Sequence, residues 1–249
     1  MCGKINLSER EKKEIEFWQQ SPIENPSQFS PENLKNKLRE AVVFKYKINR
    51  YRQIFQQSQR ILEIGAGQGW ASCILKRKFP SKVIIASDIA KYAIQSVKYW
   101  EEFYKIKIDK CLTCKSYQLS FRDNSLDLVF CFSSAHHFGK ISETLKEIYR
   151  VLKPTGVCLF LHEPSCRKFL YKIAHWRVNR KRPPVWEDVL LYQELVKLGY
   201  SAGFKVSKAN FDPTSLNRRP IEKIYYTILA KSKFLQSLLP CSADYLFEK

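Results

Sequence analysis

Residues 60–70, RILEIGAGQGW, constrain the fold more than any other stretch. The apolar run Ile61-Leu62-Glu63-Ile64 reads as a buried strand. It meets Gly65, Gly67 and Gly69, and a helical pattern follows over 71–78. A strand, a glycine-rich turn and a helix in that order form a nucleotide-binding entry. Gly65 is expected to permit the tight turn, Gly67 a close approach of backbone to ligand, and Gly69 close packing of helix on strand.

The pattern of strand and helix then repeats. Strands are predicted at 82–86 (KVIIA), 108–115, 126–132 (LDLVFCF) and 157–162 (VCLFLH), with helices over 90–104 and 141–152 between them. The fourth run is almost wholly apolar, as a central parallel strand requires. The 141–152 helix turns Leu145, Ile148, Tyr149 and Leu152 inward and ends at Lys153-Pro154-Thr155-Gly156. Further on, 165–179 reads as helix, 177–184 (RVNRKRPP) as a basic turn, and 187–198 as a helix ended by Gly199. Segments 205–211 and 221–230 are expected to be the last two strands. The fold class is α/β: a doubly wound, mostly parallel seven-stranded sheet, with N-terminal helices and a helical insertion after strand five.

Upstream, 7–20 is helix-like, with Ser8 and Glu11 in a capping-box pattern and Ile15 and Trp18 as its apolar edge. Segment 21–30, with Pro22 and Pro26, is a loop. Ser30-Pro31-Glu32 opens a second helix that extends toward 57, with Leu34, Leu38, Val42, Lys45 and Ile48 near helical spacing. Its exposed face is expected to carry Lys35, Lys37, Arg39, Lys45, Lys47 and Arg50. Two roles stay open for this region: a cover over the mouth of a ligand site, or packing on the sheet edge. The chain thus divides into an N-terminal helical cap (1–57), an α/β domain (58–230) and a C-terminal tail (231–249). In the tail, Phe234, Leu235, Leu238 and Leu239 lie among lysines. The tail reads as a helix packed on the domain, or as a contact for a membrane or another subunit.

Forty-three Lys and Arg against 24 Asp and Glu give a net charge of +19. That charge fits nucleic acid, an anionic lipid surface or acidic substrate, or simply a lysine-rich exterior. The N-terminus lacks the apolar core of a signal peptide and no apolar stretch is long enough to span a membrane, so a cytoplasmic protein is expected. Of the eight cysteines only Cys111 and Cys114 have ligand-like spacing, and no second pair or nearby histidine completes a zinc set. No metal site is therefore assigned. Asp88 follows the second predicted strand, 23 residues after Gly65. In a doubly wound fold this tip lies beside the glycine loop, where a carboxylate can accept hydrogen bonds from both ribose hydroxyls. It can also cap the following helix.

Four segments in order, LEIGAGQG (62–69), Asp88, LSFRDNSLDLV (119–129) and EIYRVLKPTG (147–156), resemble the motifs of class I S-adenosylmethionine-dependent methyltransferases. The branch most resembled is the small-molecule one, akin to ubiquinone and menaquinone biosynthesis methyltransferases, and the likeness covers roughly residues 58–163. It implies a Rossmann-like methyltransferase fold with S-adenosylmethionine as cofactor and S-adenosylhomocysteine as product. It also implies a substrate-binding insertion at 164–200, whose aromatics and arginines suit a phosphorylated, carboxylated or lipid-linked acceptor. By this resemblance Gly65, Ala66 and Gly67 pass under the methionine part of the cofactor, next to Gly69, and Glu63 orients the loop and the amino group. Asp88 holds the ribose, Ile89 packs on adenine, and backbone near Cys131 and Phe132 meets the methionine end. Lys115 stands where an acid often holds the adenine amine, which leaves Ser116 or a backbone group to substitute. Ser120 and Thr155 replace a common Pro and a common Gly.

After strand four comes FSSAHHF (132–138), without the Asn/Asp-Pro-Pro-aromatic turn of enzymes that methylate amino groups of nucleobases or glutamine. His136 or His137 is the candidate general base toward a hydroxyl, with His162 and Glu163 as the second candidate pair. The expected activity is methyl transfer to an oxygen of a small-molecule acceptor. The alternatives are RNA or tRNA methylation, favoured by the net charge, and a non-catalytic cofactor-binding protein.

Overall fold

Each apolar run is followed by a helix with one apolar face, and burying both in the same core carries the chain along a single sheet. The computed structural model describes residues 6–21, 25, 30–180 and 187–249. Pro22 and Pro26 of the expected loop, and Lys181, Arg182, Pro183 and Pro184 of the basic turn, lie outside the described residues. Three helices come first: α1 (Glu9–Gln20), α2 (Pro31–Arg50) and α3 (Arg52–Gln57). The alternating part runs β1 (Arg60–Ile64), α4 (Trp70–Lys78), β2 (Val83–Asp88), α5 (Lys91–Gln95), α6 (Val97–Tyr104), β3 (Lys110–Thr113), β4 (Leu126–Phe132), α7 (Ile141–Val151) and β5 (Leu152–Cys166). Then come α8 (Tyr171–Asn179), β6 (Leu190–Leu191), α9 (Tyr192–Ser201), β7 (Val206–Phe211), α10 (Pro220–Ala230), α11 (Lys233–Leu238) and β8 (Cys241–Glu248). Among the described residues no helix is long and apolar enough to cross a membrane.

The strand order is β3-β2-β1-β4-β5-β8-β7, parallel from β3 to β5, with β8 antiparallel to both its neighbours. The two-residue β6 pairs with the end of β5, so the sheet has eight strands where seven were expected. From Leu128 onward the side chains of β4 alternate between two cores, and a register shift against β5 between Leu126 and Leu128 sets Leu126 off that alternation. Leu128, Phe130 and Phe132 meet Phe44, Phe55 and Trp70 on one face, while Leu126, Val129 and Cys131 meet Leu145, Ile148 and Leu195 on the other. Phe44 and Phe55 are fully buried, which makes α2 and α3 part of the sheet's own packing.

The capping box is present in α1: Glu11 N–H donates to Ser8 Oγ, and Ser8 N–H to the Glu11 carboxylate at 2.7 Å. Ser30 caps α2 with Pro31 at its first position. The expected exposed basic face of α2 is only partly there. Lys37 and Lys47 are buried, whereas Leu38 and Val42 are exposed. The helix is rotated because Phe44 and Ile48 fill the core and Lys47 finds two carboxylates inside it.

Four other expectations need correction. Segment 221–230 is helix α10 rather than a strand. Its isoleucines suggest β structure, but Pro220 opens a helix and Tyr226 and Leu229 pack inward at helical spacing. The last strand is instead β8, inside what read as a tail and inserted between β5 and β7. Residues 165 and 166 finish β5, and the helix after it starts only at Tyr171. Gly199 does not end a helix: it lies within α9, where an added Cβ would strike Ser207 and Phe247 across the helix–sheet contact.

Candidate active site

The strand order reverses between β1 and β4, and ligands of open α/β sheets bind at the carboxyl ends of strands beside such a reversal. Here the glycine loop leaves β1, Asp88 ends β2 and residues 133–137 leave β4. Together they line a cavity of about 1080 Å³. That is at or above the usual ~300–1,000 Å³ of a site for one drug-sized ligand, so cofactor and acceptor both have room.

Gly65 has φ +61°, and a Cβ there would lie 2.7 Å from Ser134 Oγ. Gly67, at φ +53°, has nothing within 4 Å of where a Cβ would be, so its backbone is open to a ligand. Gly69 does not line the cavity. It lets the start of α4 approach Val97 of α6, a helix rather than the expected strand. Asp88 accepts from Gly67 N–H and Ala90 N–H, both at 2.8 Å, and so caps the next turn and braces the loop at once. Burial pushes its carboxyl up against those two hydrogen bonds. Glu63 lines the inner wall and accepts from the Ser72 N–H and hydroxyl. Burial pushes its carboxyl up to about 8, and the Ser72 bonds only partly oppose this. Ala66, Ile89, Ser116 and Phe132 also line the cavity, whereas Cys131 is fully buried behind it. The Ser116 hydroxyl is engaged by Thr144 at 2.9 Å.

The histidine candidates are rearranged relative to expectation. His136 pairs with Glu163: its Nδ1 is 2.7 Å from Glu163 Oε2. The Glu163 carboxylate also accepts N–H bonds from Ser134, Ala135 and His136, which tie the turn after β4 to β5. Burial pushes the Glu163 carboxyl up, but the bond and charge of His136 and the N–H groups outweigh it and hold it below its ordinary value. His136 lines the cavity and Glu163 stands behind it. His137 lines the cavity as well, on the side of α1, with Nδ1 3.2 Å from Glu14 and its ring edge-on to Trp18. Burial and the adjacent His136 lower its pKa. His162 also lines the cavity, stacked on Phe132 in a left-handed backbone conformation of φ +61°. Burial, then Lys47 and Arg218, hold it well below the ordinary histidine value.

Helix α1 lies over the cavity with Glu11, Glu14, Ile15 and Trp18. Glu11 accepts from Tyr117 OH at 2.7 Å and from Lys115 Nζ at 3.1 Å. Burial pushes its carboxyl up, yet Tyr117, Ser8 and Lys115 hold it down at about 2. Lys115 thus does not leave its wall of the cavity without an acid: the carboxylate comes from the N-terminal helix. The capping-box position of Glu11 was legible in the sequence, but its second contact, across more than a hundred residues, was not.

Three buried side-chain atoms lining the cavity have no hydrogen-bond partner among the described residues: Ser134 Oγ, His162 Nδ1 and Arg218 Nε. Such atoms are costly unless a ligand completes them. Arg218 also donates to Ser242 Oγ at 2.6 Å and lies over the Tyr226 ring. Nothing in the sequence pattern marks it, because β8, which carries Ser242, reads as tail from its local pattern. Cys114 lines the cavity while Cys111 is exposed, and no group of three metal-ligating side chains occurs among the described residues.

The chain has the Rossmann-like α/β fold of class I methyltransferases, and residues 62–160 match a family model described as a methyltransferase domain. Residues 62–160 thus match a methyltransferase domain, set in the fold of solved S-adenosylmethionine-dependent methyltransferases. Over 107 residues it is 32% identical to a malonyl-[acyl-carrier protein] O-methyltransferase of Priestia megaterium, covering 43% of this chain and 37% of that protein. Over 118 residues it is 26% identical to a ubiquinone/menaquinone biosynthesis C-methyltransferase of Desulfotalea psychrophila, covering 47% of each. The matched stretch spans less than half the length of either relative. A solved S-adenosylmethionine-dependent methyltransferase from Archaeoglobus fulgidus superposes with a TM-score of 0.57 at 18% identity, covering 85% of this chain and 94% of that one. The open glycine loop, the cavity-lining Asp88 and the unpaired Ser134 hydroxyl fit that cofactor.

Proposed function

We propose that this protein methylates an oxygen of a small-molecule acceptor, with His136 as general base and Glu163 as the residue that positions it. The observation that carries the reading is the His136–Glu163 pair opening onto the same cavity as the glycine loop and Asp88. When bound, S-adenosylmethionine supplies a methyl group on a sulfonium centre, so the protein's task is to orient the acceptor and take its proton. A carboxylate on Nδ1 keeps the proton on that nitrogen and leaves Nε2 free to accept another. The unpaired Arg218 Nε–H and His162 Nδ1 suit an acceptor bearing a carboxylate or phosphate. Of the two relatives one is named as an O-methyltransferase and the other as a C-methyltransferase, so the reading of oxygen rests on the histidine pair.

Two cofactor-binding outcomes test the reading. Asp88→Ala is expected to weaken S-adenosylmethionine binding by about 1.5–3 kcal/mol, the scale of hydrogen bonds to a charged group. Equal affinities for parent and variant in titration calorimetry would remove Asp88 from the site. Glu63, pushed up to about 8, is largely protonated at neutral pH while no cation faces it. A cationic ligand favours its ionised form, so binding at pH 7 is expected to release a proton and to tighten as pH rises toward 8. Calorimetry in buffers of different ionisation enthalpy reads that proton directly, and an apparent enthalpy that does not change with buffer contradicts the assignment.

A further inference from the structure

Among the described residues, nine of the twelve large, exposed apolar side chains fall within residues 169–234, seven of them on α8 with the turn before it, α10 and α11, next to the far end of the cavity. Phe169, Ile173 and Trp176 form a stripe at helical spacing along α8 and the turn before it, each more than 60% exposed. Ile221, Ile224 and Ile228 form a second along α10, and Phe234 of α11 extends it. The elements adjoin: the Arg177 guanidinium lies 5.9 Å from the Tyr225 ring, and Arg167 Nε donates to the Ser237 carbonyl at 2.6 Å. Their inner sides face the cavity through Ala174, Arg177, Val178 and Tyr226. A helix that buried its apolar face only within this domain would not leave its isoleucines in water while Tyr226 and Leu229 make the internal contact.

The charge around the stripes selects their partner. Residues 167–180 and 218–238 hold ten Lys and Arg and a single acid, Glu222. Lys168, Lys172, Lys223, Lys231 and Lys233 are exposed beside the apolar side chains. Apolar side chains ringed by lysine, with three aromatics among them, match the boundary of an anionic bilayer, where the rings and aliphatic chains enter the acyl region and the ammonium groups meet headgroup phosphates. A nucleic acid would use the lysines and leave the isoleucines unexplained.

We infer that this face docks the protein on an anionic lipid surface, which places the far end of the cavity at the bilayer for an acceptor carried in the membrane. The docking stands independently of methyl transfer, whereas delivery of the acceptor rests on the function proposed above.

The test is co-sedimentation of the full chain with phosphatidylcholine vesicles, with and without admixed phosphatidylglycerol. The parent is expected to partition onto the mixed vesicles, less so as salt rises. Trp176→Ser with Ile224→Ser is expected to lower partitioning at least about tenfold, since each removes apolar area that leaves water on docking. Lys223→Glu with Lys231→Glu is expected to abolish the preference for phosphatidylglycerol. Both pairs sit on exposed positions, and their melting temperatures and S-adenosylmethionine affinity should match the parent. A parent that stays in the supernatant with both vesicles overturns the proposal. So do a Trp176→Ser/Ile224→Ser variant that sediments like the parent, and a parent dimer in size-exclusion chromatography that the same two substitutions dissociate. A parent that binds vesicles but not S-adenosylmethionine keeps the docking and removes the enzymatic reading.

Discussion

His136→Ala is expected to lower turnover about 10²–10⁴-fold, the usual range for losing a general base, while S-adenosylmethionine affinity stays near that of the parent. The separation follows from the geometry. The glycine loop and Asp88 approach the cavity from β1 and β2, whereas His136 stands on the turn after β4, held from behind by Glu163. Added imidazole should restore part of the turnover, because the deleted ring leaves room beside an intact carboxylate. A purely architectural His136 would give no such rescue. His137→Ala should act differently, loosening α1 through Glu14 and Trp18 and leaving the base in place. Glu163→Gln retains the shape but removes the charge that orients Nδ1, and an amide cannot accept all the N–H bonds the carboxylate takes. Its stability cost has a pH signature. The Glu163 carboxyl lies below its ordinary value of 4.5 in the folded chain, so its contribution is fully present above that pH and is lost as pH falls through the lowered value. The gap between parent and Glu163→Gln in urea unfolding should therefore close on acidification below about 4.5. A variant that retains parental turnover with the native acceptor moves the base role away from His136.

The parts of this site that read from sequence are those whose signal is local. The glycine loop, the apolar run at 126–132 and the Ser8–Glu11 box each declare themselves within a dozen residues, and each is found where the pattern puts it. Asp88 was reachable through the fixed geometry of the fold class. His136 and Glu163 both read as candidates from sequence, yet as members of separate pairs. Only the parallel register of β4 on β5 brings the turn after one against the end of the other. The C-terminal region failed for a different reason. Isoleucine and tyrosine in α10 carry β propensity, and Ser242 and Asp244 interrupt the apolar run of β8, so local preference pointed the wrong way twice. What overrides it is long-range: β8 fills the place between β5 and β7, and its polar side chains find partners on α2 and before α10.

Those partners make Lys47 the position with the largest expected effect on stability. Its ammonium is fully buried, 2.6 Å from Asp244 and 2.5 Å from Asp212, both themselves buried. Tyr51 OH donates to Asp244, Tyr46 OH to Asp212, and Arg50 stands 3.4 Å from Asp212 at the solvent edge. Lys47→Met keeps the aliphatic volume and removes the charge, which leaves two buried carboxylates facing each other. Breaking such a cluster from one side costs about 3–5 kcal/mol, and Arg50 should hold the loss toward the lower end. Burial already pushes the Asp244 carboxyl above its ordinary value, with Lys47 opposing that rise. Without Lys47 it should rise further. A carboxyl raised in the folded state favours folding below its unfolded value and loses that contribution as pH climbs through the raised one. The deficit of Lys47→Met in urea unfolding should thus be small below the unfolded carboxylate value of about 3.9 and grow as pH rises above it. Adding Asp244→Asn should recover part of it, since the second substitution removes one of the stranded charges. The damage should also reach the cavity, because Asp244 Oδ1 accepts the backbone N–H of His162 at 2.9 Å and so holds that left-handed residue in place. A Lys47→Met chain that unfolds within about 1 kcal/mol of the parent at pH 7, inside the range of ordinary surface changes, would show that the buried ammonium contributes no net stability.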